Sequence, residues 1–218
     1  EESAPNSGVA VALATGVPTS IGRVATAAGS DENLVTILEL AHAAGFGTGI
    51  VTTTRIADAT PASFIAHIDD RYCQSPSSMV EEDRTHPQYS TNCADDYTAN
   101  GGRGSVAEQI VHSGIDVILG SGREDFTQPL DHNRTDGDAP TVIGLARDKG
   151  FTVIQSADEL DDADRHERLM GLFSDGIMPV RMRGENDAIA EFITRRDGRV
   201  EWPAPVSCED NPAFAGLP

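Results

Sequence analysis

Short apolar runs next to glycine residues alternate with helical patterns, and this alternation constrains the fold of the chain most strongly. Residues 115–119 form a nearly continuous apolar run between two glycines, which is typical of a strand covered on both faces. Comparable runs occur at residues 49–53, 151–154 and 169–173. Capped helical patterns fill residues 33–45, 105–114 and 141–150. Repeated units of this length predict an α/β fold with a doubly wound, mostly parallel sheet.

The two ends of the chain are less regular than its middle. Residues 5–16 predict a helix that begins with Asn6 or Ser7 as its cap and ends at Gly16. Residues 22–31 and 123–140 have the polar, glycine-rich composition of loops, and the pattern weakens after Gly184. We therefore predict a single, incomplete α/β domain over residues 1–218.

Length and hydropathy predict a soluble globular chain. The 218 residues include 39% apolar side chains, which is enough for a hydrophobic core. No apolar run approaches the roughly 20 residues of a membrane span, and residues 1–8 lack the pattern of a signal peptide. A membrane is therefore not an expected partner.

The charge balance excludes polyanionic partners. Acidic residues number 35 against 16 basic ones, which gives a formal charge of −19, and Lys149 is the single lysine. Such a surface repels nucleic acid and anionic lipid, so a phosphate site must be locally cationic through arginine or metal. Adaptation to a salty medium, in which self-repulsion is screened, and an ordinary acidic secreted protein both explain this composition.

The three cysteines suggest an oxidising compartment. Cys73 and Cys93 flank a polar segment, residues 74–92, that has little apolar content of its own and would gain from a covalent clamp. A disulfide there implies secretion, whereas three reduced, buried thiols are the alternative. Cys208 has no obvious partner within the chain.

Residues 49–73 carry the chemistry that the pattern suggests. The strand at 49–53 runs into a turn with Asp58 and Thr60, and a helix beginning at Pro61 is predicted to deliver Arg71. Open parallel sheets bind ligands at the carboxyl ends of their strands. The two oxygen ligands suit Mg²⁺, and the guanidinium suits a phosphate.

A purely structural interpretation of the same residues stays open. Asp58 or Thr60 can cap the helix that Pro61 begins, and Arg71 can pair with a neighbouring aspartate on the surface. The six histidines show no close pairing of the kind that binds zinc.

The string DATPASFIAHIDDRYC at residues 58–73 strongly resembles a segment of bacterial alkaline phosphatases. The resemblance continues, in order, through TILELAHAAG at 36–45, NGGRGSVAEQI at 100–110, DVILGSG at 116–122 and LFSDGIMPVR at 172–181. It therefore extends over most of the chain and implies the alkaline phosphatase fold and a phosphate monoester hydrolase.

This resemblance also implies roles for individual residues. Asp58 and Thr60 match Mg²⁺ ligands, Arg71 matches the arginine that binds the substrate phosphate, and Cys73 with Cys93 matches a family disulfide. The family phosphorylates and then hydrolyses a serine at a helix N-terminus, with two Zn²⁺ ions assisting. That serine corresponds to Ser7, to Ser3 or to neither, because gapless counting from Thr15-Gly16 puts Asn6 at its position.

The zinc ligands of the family, the glutamate that completes its magnesium site and a partner for Cys208 are expected outside these residues. We predict a phosphate monoesterase or a fragment of one, periplasmic or extracellular, as a homodimer or with a complementary fragment. The alternative is a non-catalytic structural or binding module derived from such an enzyme. A sulfatase-like or phosphomutase-like relative is a third, less specific interpretation.

Overall fold

The computed structural model describes most of the first 178 residues and short strands beyond them. The described residues are 6–79, 93–131, 137–164 and 166–178, with strand residues at 182–184, 193–194, 200–201 and 208–210. The chain divides into two compact units, Glu1–Met178 and Pro179–Pro218. The predicted single domain over residues 1–218 stays a prediction.

A four-stranded parallel sheet organises the first unit. Its strands are β1 (Gly49–Arg55), β2 (Val117–Ser121), β3 (Phe151–Ile154) and β4 (Arg168–Leu172). Their order across the sheet is β1-β2-β4-β3, and every neighbouring pair is parallel. The prediction of a mostly parallel α/β sheet is therefore confirmed for this unit, and all four strands lie where the apolar runs placed them.

Seven α-helices and two short 3-10 helices connect these strands within the described residues. The α-helices are α1 (Asn6–Thr15), α2 (Ile37–Ala43), α3 (Ala59–Ala62), α4 (Val106–His112), α5 (Arg123–Phe126), α6 (Val142–Asp148) and α7 (Ala157–Asp162). The 3-10 helices are Ala94–Asp96 and Thr98–Asn100. The prediction of a loop at 123–140 is therefore wrong for residues 123–126, which form α5.

Two helix starts differ from the sequence prediction. The cap of α2 is Thr36, three residues beyond the start of the predicted pattern at 33–45, because Thr36 and Glu39 form a capping box in which each side chain binds the other's backbone N–H. The helix after β1 begins at Ala59, not at Pro61, because the Asp58 carboxylate accepts from the Ala59 N–H. By contrast, α4 starts where the pattern at 105–114 begins, and Ser105 caps it through a capping box with Glu108.

The segment after β1 is also less helical than predicted. Helix α3 has only four residues, and the chain then turns and forms an antiparallel bridge between Ile68 and Val24. Arg71 therefore follows a bridge to a distant segment and does not lie on a helix. The bridge is favoured over a continued helix because it satisfies both backbone hydrogen-bonding groups of Ile68, which is buried.

The core lies between the sheet and helices α4 and α6. Helix α4 buries Val106, Ala107, Ile110 and Val111, and α6 buries Val142 and Ala146. These side chains belong to the same buried cluster as Ile118 of β2 and Met170 of β4. The cluster anchors the strands whose carboxyl ends form the candidate site.

The predicted disulfide joins Cys73 and Cys93, which are 20 positions apart in the sequence. Both cysteines are buried in the core cluster. The prediction for this pair is confirmed, whereas residues 80–92 of the bounded segment lie outside the described residues.

The second unit contains two small antiparallel ladders. One pairs β5 (Met182–Gly184) with β8 (Cys208–Asp210), and the other pairs β6 (Ile193–Thr194) with β7 (Val200–Glu201). The expected partner of Cys208 stays a prediction.

Within the described ranges, every helix is too short or too polar to span a lipid bilayer.

Candidate functional site

Asp58 lies just beyond the carboxyl end of β1 and caps α3. Its Oδ1 accepts from the Ala59 N–H at 2.8 Å, and its Oδ2 accepts from the Thr54 hydroxyl at 3.3 Å. The side chain is 24% exposed. Asp58 therefore caps α3, but the cap uses Oδ1 only. Among the described residues, Oδ2 has one long hydrogen bond, from Thr54.

Arg71 reaches the same carboxylate across 13 residues of sequence. Its Nη2 donates to Asp58 Oδ1 at 2.6 Å, and the guanidinium side chain is 15% exposed. The Arg71 backbone N–H donates to the Gly22 carbonyl at 2.7 Å. The structure thus brings together Asp58 and Arg71, two of the residues that the sequence singled out. The interpretation of Arg71 as only a surface arginine paired with a neighbouring aspartate does not account for this contact.

Thr60 faces a different environment. It is exposed in the first turn of α3 and lines an apolar groove of about 430 Å³ whose lining includes neither Asp58 nor Arg71. Among the described residues its hydroxyl has no hydrogen-bond partner. A carboxylate oxygen and a hydroxyl are both hard ligands that suit Mg²⁺, but the groove that Thr60 lines does not include Asp58, so a shared magnesium site stays a prediction.

Ser7 lies in the first turn of α1 and is completely buried. Its hydroxyl accepts from the Gly22 N–H at 3.1 Å. Gly22 therefore connects the two halves of the site, because its N–H binds Ser7 and its carbonyl binds Arg71. The assignment of Ser7 as a nucleophile stays a prediction, and Ser3 lies outside the described residues.

The described residues contain one group of metal-ligand side chains in mutual reach, Asp70 with Cys73 and Cys93. Both sulfurs of this group form the disulfide, so they are not free thiolate ligands. The zinc ligands that the sequence places outside the chain stay a prediction.

A buried ion pair beside the site escaped the sequence analysis. Arg55, at the end of β1, donates from Nε and Nη2 to the two oxygens of Asp125 at 3.1 and 2.5 Å. Its Nη1 lies 2.8 Å from Glu124 of α5. Burial raises the pKa of Asp125 above its usual value, although the Arg55 guanidinium opposes this shift and Asp58 adds to it. The sequence signal that could have identified this pair is an arginine directly after one predicted strand and an acidic residue shortly after the next.

An acidic cluster brings Asp96 near Asp69, Asp95 and Asp31. Burial, together with the charges of these three carboxylates, raises the pKa of Asp96 to about 6. Burial also raises the pKa of Asp69, although Arg23 opposes the shift. Because the folded pKa of Asp96 exceeds its ordinary 3.8, the cluster favours the folded state below pH 4 and loses that contribution as the pH rises through about 6.

We expect Asp96→Asn to stabilise the protein at pH 7.5 by about 1 kcal/mol, a value reduced for the partial exposure of this side chain. At pH 3 the variant and the wild type should differ little, because Asp96 is then largely protonated in both the folded and the unfolded states. Thermal unfolding at the two pH values measures this difference. Asp138→Asn, which removes an exposed carboxylate, is the control, and an equal gain at both pH values would contradict the interpretation.

Comparison with known proteins places this geometry in a family. The alkaline phosphatase family profile matches residues 2–194. Streptomycin-6-phosphate phosphatase of Streptomyces griseus is 39% identical over 197 residues, which cover 87% of this chain and 40% of that protein. Alkaline phosphatase of Escherichia coli K12 is 34% identical over 206 residues, which cover 93% of this chain and 39% of that protein.

Solved structures agree with this assignment. The alkaline phosphatase of Thermus thermophilus has a TM-score of 0.58 and 28% identity over 81% of this chain and 30% of that one. The alkaline phosphatase of the Antarctic bacterium TAB5 shares the fold, with a TM-score of 0.59 and 21% identity over 82% and 42% of the two chains. The chain thus spans about two fifths of the curated relatives' length, and it belongs to the alkaline phosphatase family.

Proposed function

We propose that this chain is a metal-dependent phosphate monoester hydrolase of the alkaline phosphatase type, or the part of one that holds its phosphate-binding arginine. Family membership supports the reaction class. The proposed substrate is a small phosphate monoester. Nucleic acid is not a proposed partner, because the net charge of −19 repels it.

The observation that carries the proposal is the Asp58–Arg71 pair at the carboxyl end of β1. A guanidinium held at 2.6 Å from a carboxylate is fixed in place, and its planar fork matches the oxygens of a phosphate. In a chain with 35 acidic residues, such a fixed cation is what a phosphate dianion needs locally. Arg71 is therefore proposed to bind and orient the ester phosphate.

The proposed metal ligands in this chain are Asp58, through its less engaged Oδ2, and Thr60, whose hydroxyl has no hydrogen-bond partner within the described ranges. When bound, Mg²⁺ would supply a positive charge beside the phosphate. The zinc ligands are proposed to come from segments outside these 218 residues. Ser7 is the proposed nucleophile, and Gly22 holds its hydroxyl in the first turn of α1.

The Cys73–Cys93 disulfide supports a periplasmic or extracellular location, since such bonds persist in oxidising compartments. A non-catalytic module of the same ancestry is the second candidate. Two observations favour it, the complete burial of Ser7 and the lack of a zinc-ligand cluster other than the disulfide-bonded one in the described ranges.

Hydrolysis of a chromogenic phosphate monoester separates the two candidates. The full-length protein should release product in the presence of Zn²⁺ and Mg²⁺. It should lose that activity with a chelator and regain it when both metals are restored. Mass spectrometry of the acid-quenched reaction should find the phosphoryl group on a peptide containing Ser7. No hydrolysis with both metals present, or hydrolysis that the chelator leaves unchanged, contradicts the proposed function.

A further inference from the structure

A buried segment, residues 22–26, lies between the two halves of the candidate site. Gly22 contacts Ser7 through its N–H and Arg71 through its carbonyl, at 3.1 and 2.7 Å. Val24 and Ile68 exchange both of their backbone hydrogen bonds at 2.9 Å. The position of this segment therefore sets the position of the Arg71 backbone relative to α1.

The segment contains an unfavourable backbone conformation at Ala25. Its φ of 43° lies in the left-handed region, which alanine rarely adopts and which the surrounding structure must hold in place. The residue is completely buried. Its carbonyl accepts two hydrogen bonds, from the Leu34 N–H at 2.8 Å and from the His67 ring at 2.9 Å.

His67 spans from this carbonyl to helix α2. The ring is buried, its Nδ1 lies 2.9 Å from the Ala25 carbonyl, and its Nε2 lies 2.8 Å from Glu39 Oε1. A carbonyl only accepts, and an ionised carboxylate only accepts. Nδ1 must therefore carry a proton to bond the Ala25 carbonyl, and a second proton lies between Nε2 and Glu39 Oε1.

The surroundings of Glu39 favour its ionised form. Burial acts to raise its pKa, but hydrogen bonds from the Thr36 N–H and from His67 outweigh it and lower the pKa below its usual value. The remaining oxygen of Glu39 accepts from Thr36 at 2.8 Å. Arg103 and His112 line the same pocket as Glu39 and are the other basic side chains facing it.

The main chain of His67 is fixed independently of its ring. The Gln109 side chain of α4 accepts from the His67 N–H at 2.9 Å and donates to the His67 carbonyl at 3.0 Å. Replacing the ring therefore leaves this anchor in place. The two ring contacts can be tested separately by substitution.

We propose that His67 is a positioning residue of the phosphate site: its Nδ1–H bond to the Ala25 carbonyl holds segment 22–26, and through that segment sets Arg71 relative to Ser7. The effect on catalysis rests on the proposed function. The bond to Glu39 orients the ring but does not itself reach the site.

Two amide substitutions separate the ring contacts. In His67→Asn the amide nitrogen takes roughly the place of Nδ1, so the Ala25 bond survives and the Glu39 bond is lost. In His67→Gln the nitrogen takes roughly the place of Nε2, so the Glu39 bond survives and the Ala25 bond is lost. The matched control is His112→Asn, which changes an exposed histidine of α4 that has no partner among the described residues.

We expect His67→Gln to lower kcat/KM for a phosphate monoester about tenfold, because small displacements of a binding group are costly. His67→Asn should stay within about threefold of the wild type, and His112→Asn should match it. Hydrogen exchange of the Ile68 and Arg71 amides should accelerate about tenfold in His67→Gln and not in His67→Asn. Equal losses of activity in the two His67 variants would show a role in stability alone and overturn the proposal.

Failure of the proposed function has a different signature. If the wild type does not hydrolyse esters, the hydrolase assignment fails, while the exchange comparison still decides whether His67 holds the Arg71 segment. Nitrogen-15 spectra of the histidine-labelled protein at pH 7 should show Nδ1 of His67 protonated. An unprotonated Nδ1, or equal exchange rates in the two variants, overturns the role assigned to His67.

Discussion

Replacing Arg71 by alanine is expected to lower kcat/KM for phosphate monoesters by about 10²–10³-fold, the usual loss when one fixed donor to a developing oxyanion is removed. The guanidinium lies 2.6 Å from Asp58 and is 15% exposed. Without it, an incoming phosphate dianion would meet an unshielded carboxylate in a chain that already carries a charge of −19. Steady-state kinetics and the inhibition constant of inorganic phosphate measure the loss.

Two further variants make this result specific. Arg71→Lys keeps the charge but loses the planar fork, so its activity should lie between those of the wild type and the alanine variant. Arg103→Ala removes an exposed arginine that makes no hydrogen bond or ion pair with the described part of the chain, and its kinetics should match the wild type. A loss below threefold in Arg71→Ala would remove Arg71 from the site.

The sheet was predictable because each strand has a short apolar or β-branched run in its local sequence. Strands β2, β3 and β4 bury part or most of that run, whereas β1 is half-buried to exposed along its length. The run at 115–119 is apolar on both faces and became β2, the strand between β1 and β4. The disulfide was predictable for a similar local reason, since Cys73 and Cys93 enclose a segment with few apolar residues. Patterns of this kind report burial, and burial determines where strands and cross-links form.

The geometry of the site depends on contacts that no local pattern contains. Ile68 leaves the helical conformation because Val24, 44 positions earlier, offers it two backbone hydrogen bonds. This bridge turns Arg71 toward Asp58, whereas a continued helix would have carried it away. Arg55 and Asp125 are 70 positions apart and meet only because β1 and β2 are neighbours. Such pairs become visible once the strand order is known.

The Arg55–Asp125 pair is expected to have the largest effect on stability. Asp125→Ala should lower the free energy of unfolding by about 3 kcal/mol, the lower end of the range for breaking a buried ion pair. The variant leaves a guanidinium that is 28% exposed and that keeps one contact, to the half-exposed Glu124. The loss falls at the lower end because water and Glu124 still stabilise part of the charge. Urea unfolding at pH 7 measures it.

A double variant distinguishes the ion pair from simple packing. Arg55→Met with Asp125→Leu removes both charges and refills the space, so it should recover most of the stability that Asp125→Ala loses, because no charge is left buried alone. The single variant Glu124→Gln, at the exposed end of the cluster, should change stability by less than about 1 kcal/mol. If the double variant is as unstable as Asp125→Ala, the loss comes from the shape of the site beside Asp58, and the charge of Arg55 has no part in it.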